Sequence, residues 1–292
     1  MGTSSRQADS LRGYVLVQIL PVIYTDLDGT LLDHDTYSAE EARGVLGDLA
    51  VRNVPVIPAT SKTFAEVAHF REEMGLDHAF IVENGAAVYV PMDLNIRCPL
   101  GSKVFQNYWV REFGVRRQAL CDVIEALDMP SRHHFKSLNE MRPSEVAEIT
   151  GLDIESAKRA QIRLYSETID WRDSAESLEA FSKVLTDIGF AVSQGGRFVH
   201  LMGPNHKGIA ALWFHNLLKR EWTPDLASIA AGDAPNDREM LENADFALVM
   251  RNDRGTPLSL ERTGPTYISQ GSGPSAWSAG IQEIFETNGW EI

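Results

Sequence analysis

At 292 residues, with 43% hydrophobic and 23% charged side chains, the chain has the composition of an ordinary soluble globular protein and the length for two domains, or for one domain carrying a large insertion. No stretch approaches the roughly 20 apolar residues that span a bilayer, and a formal charge of −14 disfavours nucleic acid as a partner. Cys98 and Cys121 lack metal-type spacing, so a reducing cytoplasm without disulfides is expected.

In chain order, the apolar run Tyr14 to Tyr24 reads as mostly buried strand, with Val22 to Thr25 as strand one. Ser38 can cap a helix whose apolar positions Ala42, Val45, Leu46 and Leu49 share one face. A strand over Val54 to Ala59, a helix from about Thr63 to Met74 ending near Gly75, and a strand over Ala79 to Val82 follow, with Gly85 at a turn. From about Val90 to Val199 the rhythm changes, with helical periods at Ala119, Leu120 and Val123 and at Leu178, Phe181, Leu185 and Ile188. Residues 91–200 hold 14 basic and 16 acidic side chains, against 13 and 25 elsewhere, which is weak support for a middle segment that meets an anionic ligand. After Lys207 the earlier pattern resumes with a helix through Leu218, a run from Leu226 to Ala231, a helix near Arg238 to Asn243 and a run from Phe246 to Met250. The expected fold is therefore α/β. A parallel-sheet core over residues 1–89 and 201–292 is interrupted by an α+β module over 90–200, placed over the carboxyl ends of the strands.

Asp26-Leu27-Asp28-Gly29-Thr30 closes the first strand. Carboxylates at i and i+2 of a continuing strand would share a face and repel. A loop permitted by Gly29, with a bound cation offsetting the repulsion, is the expected arrangement. Asp26 is then a candidate nucleophile toward phosphorus, and Asp28 a candidate acid for the leaving alkoxide and base for water. An Asx-type turn is the purely structural alternative. Gly232-Asp233-Ala234-Pro235-Asn236-Asp237 follows another apolar run. Mg²⁺ takes oxygen ligands, and Asp26, Asp28, Asp233 and Asp237 are expected to converge around one such cation; helix N-capping by Asp233 or Asn236 is the alternative.

Thr60-Ser61-Lys62 begins a helix, where hydroxyls and free backbone N–H groups suit a phosphate, or where either hydroxyl is a simple N-cap. Lys207 opens another helix, where the dipole disfavours a cation unless an anion is near; a solvated lysine is the alternative. The histidines have no ligand spacing and read as structural or surface residues. Neither a Gly-x-x-x-x-Gly-Lys loop nor a Gly-x-Ser-x-Gly elbow is present, which argues against nucleoside-triphosphatase and serine-hydrolase chemistry.

Asp26-x-Asp28-Gly-Thr, Thr60, Lys207 and Gly232-Asp233-x-x-x-Asp237 resemble the four ordered motifs of the haloacid dehalogenase superfamily. The inserted module, preceded by Glu83-Asn84-Gly85-Ala86, resembles the type-II cap of its sugar-phosphatase branch. Within that branch, Leu32-Asp33-His34-Asp35-Thr36-Tyr37-Ser38, Thr60-Ser61-Lys62-Thr63, Glu145 to Leu152, Arg163 to Glu167 and Gly195 to His200 are similar to segments of the mannosyl-3-phosphoglycerate phosphatases. Thr60 and Thr168 depart from that family's common Ser and Pro. The resemblance implies a Mg²⁺-dependent phosphomonoesterase working through an aspartyl-phosphate on Asp26, with Asp28 as acid/base. It implies phosphate binding by Thr60, Ser61, Lys207 and Asn236, and Asp233 and Asp237 as metal holders. The family substrate carries a phosphate and a carboxylate, so Arg163 and Arg197 are candidate forks for it, with Ser166, Glu167 and Gly196 beside them. The implied partner is a small phosphorylated glycoside acted on by a monomer or homodimer. A general sugar phosphatase and, in another class, a phosphosugar mutase are the competing readings.

Overall fold

The computed structural model describes residues 20–126, 134–195, 198–252 and 257–292. Five parallel strands form the central sheet: β1 (Val22–Thr25), β2 (Val56–Pro58), β11 (Ser228–Gly232), β12 (Phe246–Val249) and β13 (Thr266–Ile268), in the order β13-β12-β11-β1-β2. These strands are apolar on both faces because helices cover both. Ile23, Val56, Ala231 and Leu248 pack against α1 (Arg43–Val51) and α9 (Gly273–Thr287) through Leu46, Leu49, Trp277 and Ile281. Val22, Tyr24, Ala230 and Val249 pack against α7 (Lys207–Glu221) and α8 (Arg238–Asn243) through Phe214, Leu218 and Met240. Residues 14–19 of the first apolar run lie outside the described residues.

Beyond β2 the sheet is extended rather than ended. β3 (Phe80–Val82) meets it through the Ala59–Ile81 bridge, and then pairs in antiparallel order with β4 (Ala87–Pro91), β6 (Tyr108–Glu112) and β5 (Lys103–Phe105). The boundary expected at residue 90 thus falls inside β4. Val90 and Val110 are buried in the two core clusters, and the chain leaves this sheet after Glu112. The loss of helical period near residue 90 marks a hairpin added to the same sheet, which sequence rhythm alone does not distinguish from a new module.

The insert has its own antiparallel sheet, ordered β7 (Phe135–Ser137), β8 (Ser166–Trp171), β10 (Phe198–Met202) and β9 (Ala191–Gly195). α3 (Arg117–Ala126) and α6 (Ala175–Asp187) cover one face through Ile124, Phe181 and Leu185, which meet Ile169, Val199 and Leu201. A pair of short helices, α4 (Pro143–Thr150) and α5 (Ile154–Gln161), packs around Val146, Ala157 and Phe198. α5 also touches α2 (Phe64–Met74) of the core, where Thr63 Oγ1 donates to the carbonyl of Arg159 at 2.9 Å.

Candidate active site

Asp26 is the first residue past β1, and its N–H still donates to the carbonyl of Ala231 at 2.9 Å, so the sheet ladder itself orients it. The chain then turns sharply, with Thr30 and Leu32 N–H donating to the carbonyl of Leu27 and Gly29 at φ +76°. Glycine suits this left-handed position, and a Cβ there would also stand tight against Asp233 Oδ2, at 3.1 Å. Thr30, fully buried, donates to Asp233 Oδ1 at 3.3 Å.

At the end of β11, a Cβ on Gly232 would lie 2.6 Å from that of Asp237. The missing side chain is what lets the Pro235–Asp237 turn fold Asp237 back under the strand end. Asp237 Oδ2 accepts the N–H groups of Asp233 and Ala234 at 3.1 Å each, and its Oδ1 accepts Lys207 Nζ at 2.6 Å. Lys207 also reaches Asp26 Oδ1 at 2.7 Å, and its side chain is wholly buried. It opens α7, whose N-cap is His206; the imidazole accepts the Ile209 N–H, a structural role as expected. The unfavourable position of a cation at a helix N-terminus is offset by these two carboxylates.

Oxygens of Asp26, Asp233 and Asp237 lie within 4.8 Å of one another. One ammonium among three carboxylates leaves negative charge in excess, and the acids respond. Burial and the neighbouring Asp237 push Asp26 up to about 7 against the pull of Lys207, and burial and Asp26 push Asp233 up to about 6. Asp237 is raised as well, chiefly by burial. Burial opposes the charge on Lys207, but Asp237 and Asp26 outweigh it and hold the ammonium protonated. An all-oxygen donor set with uncompensated negative charge fits a hard divalent cation such as Mg²⁺.

The carboxylate of Asp28, expected among the metal ligands, is not part of this cluster: Asp28 Oδ1 pairs with Lys62 Nζ at 2.8 Å. Past β2, Thr60 is fully buried, and its hydroxyl accepts the Lys62 N–H at 3.2 Å, keeping its own proton to donate. Neither Thr60 nor Ser61 caps the helix. Thr63 does, in a reciprocal capping box with Glu66, so residues 60–62 form a loop ahead of it, held by the N–H groups of Glu83 and Asn84 on the carbonyls of Lys62 and Thr60. Asn236, expected to bind phosphate, donates to Asn84 Oδ1 at 2.9 Å.

The cap reaches this end of the sheet through Arg163 and Ser166. Arg163 Nη1 donates to the Ser61 carbonyl at 3.2 Å and to Ser166 Oγ at 2.8 Å. Ser166 Oγ donates to Glu83 Oε2 at 2.6 Å, and the Glu83 carboxylate also accepts the N–H groups of Leu164 and Tyr165 at 2.9 and 3.0 Å. Glu83 is fully buried in a left-handed conformation, as is its neighbour Asn84, and non-glycine backbone strain of this kind collects at functional joints. Glu167 is not brought to this end of the sheet. Its strand partner Leu201 faces the helix-covered side of the cap, and Glu167 pairs there with Arg117 at 2.5 Å and with Ser137. Alternation along β8 places Ser166 and Thr168 on the other face, with His200, whose imidazole is held down at about 3 by burial and the charge of Arg163. Gly196 and Arg197 lie outside the described residues. Glu83 and Lys62 carry no role in the sequence reading. The signal for each was its place in a segment that carries the resemblance, Glu83-Asn84-Gly85-Ala86 at the head of the insert and Thr60-Ser61-Lys62-Thr63 after the second strand.

Against known proteins, a family model described as haloacid dehalogenase-like hydrolase matches residues 23–256. The chain belongs to that family. A relative from Methanococcoides burtonii, named glucosyl-3-phosphoglycerate/mannosyl-3-phosphoglycerate phosphatase, is 34% identical over 274 residues, covering 91% of this chain and 98% of the relative. Among solved structures, the hydrolase is similar in fold to BT1666 of Bacteroides thetaiotaomicron, a phosphatase of the same superfamily. That match has a TM-score of 0.61 at 16% identity, covering 97% of this chain and 99% of the other. It is likewise similar to the sucrose-phosphatase of Synechocystis sp. PCC6803, with a TM-score of 0.55 at 15% identity, covering 94% and 100%. The family and the phosphatase relative together make this hydrolase a phosphoric monoester hydrolase. No described helix is long and apolar enough to cross a membrane.

Proposed function

We propose that the protein hydrolyses a sugar-linked 3-phosphoglycerate, releasing the free glycoside and phosphate through an aspartyl-phosphate on Asp26. The observation that carries the chemistry is the strand-end cluster, in which Asp26 and Asp237 pair with the buried ammonium of Lys207 and Asp233 stands within the same group of carboxylates. Asp26 attacks phosphorus, the bond from phosphorus to the glycerate oxygen breaks, and Asp28 gives that oxygen its proton. Asp28, now ionised, takes a proton from water as the water oxygen attacks the aspartyl-phosphate; the bond to Asp26 breaks and phosphate leaves. Lys207 and the Thr60 hydroxyl stabilise the phosphoryl oxygens, the work on which phosphoryl transfer chiefly depends. Asp26, Asp233 and Asp237 would hold Mg²⁺, which supplies further withdrawal of charge from the phosphoryl group when bound.

The substrate class is supported by the name of the Methanococcoides burtonii relative and by a cap guanidinium, Arg163, at the phosphate-binding loop. The insert acts as the domain that selects the substrate. The test is Mg²⁺-dependent phosphate release from mannosyl- and glucosyl-3-phosphoglycerate beside a panel of simple sugar phosphates. Preferred turnover of either phosphoglycerate is expected. Equal kcat/KM across the panel overturns the substrate reading and leaves the phosphatase.

A further inference from the structure

We propose that Lys62 is a specificity-determining residue that, with Arg163, binds the carboxylate of the alcohol released in the reaction. This rests on the phosphoglycerate reading and deepens it. Lys62 Nζ lies 2.8 Å from Asp28 Oδ1, and only 15% of its side chain is exposed, so a largely desolvated ammonium stands against the acid/base. The ring of Tyr37 lies on another side at 5.0 Å. Burial opposes that charge, and the carboxylates of Asp28 and Glu66 outweigh it.

Asp28 must come within hydrogen-bond reach of the ester oxygen that it protonates, so a cation touching Asp28 flanks the leaving group rather than the phosphoryl oxygens. The phosphoryl side already has its own cation in Lys207. Arg163 approaches the same place from the cap. It donates to the carbonyl of Ser61, the residue next to Lys62, and forms no ion pair among the described residues. Two cations from separate parts of the fold therefore bracket one loop on the leaving-group side. A neutral alcohol offers them hydrogen-bond acceptors but no opposite charge. A carboxylate two bonds beyond the esterified carbon is the group they would pair with, since a fork from Arg163 and a point charge from Lys62 suit its two oxygens.

The test is competition against p-nitrophenyl phosphate hydrolysis by 3-phosphoglycerate and by glycerol 3-phosphate, which differ by a carboxylate against a hydroxymethyl group. The unaltered enzyme is expected to prefer the acid by about tenfold or more, Lys62→Met to erase most of that preference, and Lys62→Arg to restore part of it. Any effect through Asp28 or through folding falls on both competitors alike, so the ratio isolates the carboxylate. Should Lys62→Met stop turnover, calorimetric titration of the same two compounds into Asp26→Asn, with and without Lys62→Met, reads the same ratio. No preference for the acid in the unaltered enzyme, or a preference that survives Lys62→Met, overturns the proposal. The substrate reading fails separately, if the phosphoglycerate glycoside is not hydrolysed while the preference for 3-phosphoglycerate over glycerol 3-phosphate is intact.

Discussion

The core and cap sides of the cleft hold their charges in different ways. In the core, Lys207 and Asp237 have no exposed side-chain surface, Asp26 barely any, and every group is fixed by a strand end or a helix start. In the cap, Arg163 is half-buried and is placed by a relay, from Glu83 through Ser166, that crosses between the two parts of the fold. On the proposed reading, chemistry falls to groups that cannot move without breaking the sheet, and recognition is shared between Lys62 of a core loop and Arg163, whose position depends on how the cap docks.

That contrast can be broken in order of expected effect. Asp26→Asn removes the proposed nucleophile but keeps the shape of the site, and a fall in phosphate release of at least about 10³-fold, with the fold retained by circular dichroism, is expected. Lys207→Met leaves Asp26 and Asp237 buried without their cation. A loss of about 3–5 kcal/mol of stability in denaturant unfolding is expected along with the loss of activity, since breaking a buried pair strands the charges that remain. Glu83→Gln should act on the cap side: it weakens the anchor of Leu164, Tyr165 and Ser166. KM for the phosphoglycerate glycoside should rise by about tenfold, while kcat/KM for p-nitrophenyl phosphate moves far less. Equal losses on both substrates would show that Glu83 serves the core loops instead.

The smallest effect is a pH dependence confined to the core. Asp26 and Asp233 are raised from the ordinary 3.8 to about 7 and about 6, so the folded protein holds more protons than the unfolded chain between those limits. The stability of the metal-free protein is therefore expected to fall as pH rises through that window, because both acids must ionise in place. Mg²⁺ bound at the three carboxylates would offset the same repulsion. Its gain in Tm should be larger near pH 8 than near pH 5, where it must displace protons first. A gain that is equal at both values would place the metal away from Asp26 and Asp233.

Much of the core side was legible along the chain. Val22–Thr25 and Arg238–Asn243 fall where the apolar periods put them, and α2 ends at a left-handed Gly75 as expected. Asp26, Asp233 and Asp237 converge because each follows a strand or turn at the same end of one parallel sheet, and parallel strands carry that end in register. The cap side was not legible in the same way. Glu167 and Ser166 are adjacent in sequence, yet the pleat sends one into the cap interior and the other toward Glu83.

Local pattern, then, determined the elements, the acidic strand ends and the helix start at Lys207, because these depend on residues close together in the chain. Only the tertiary structure decided that residues 90–112 extend the core sheet, that Asp28 pairs with Lys62 instead of joining the acidic cluster, and that Glu83 holds the cap. Each of those outcomes is a contact between segments separated by tens of residues, set by packing and register rather than by the composition of either partner.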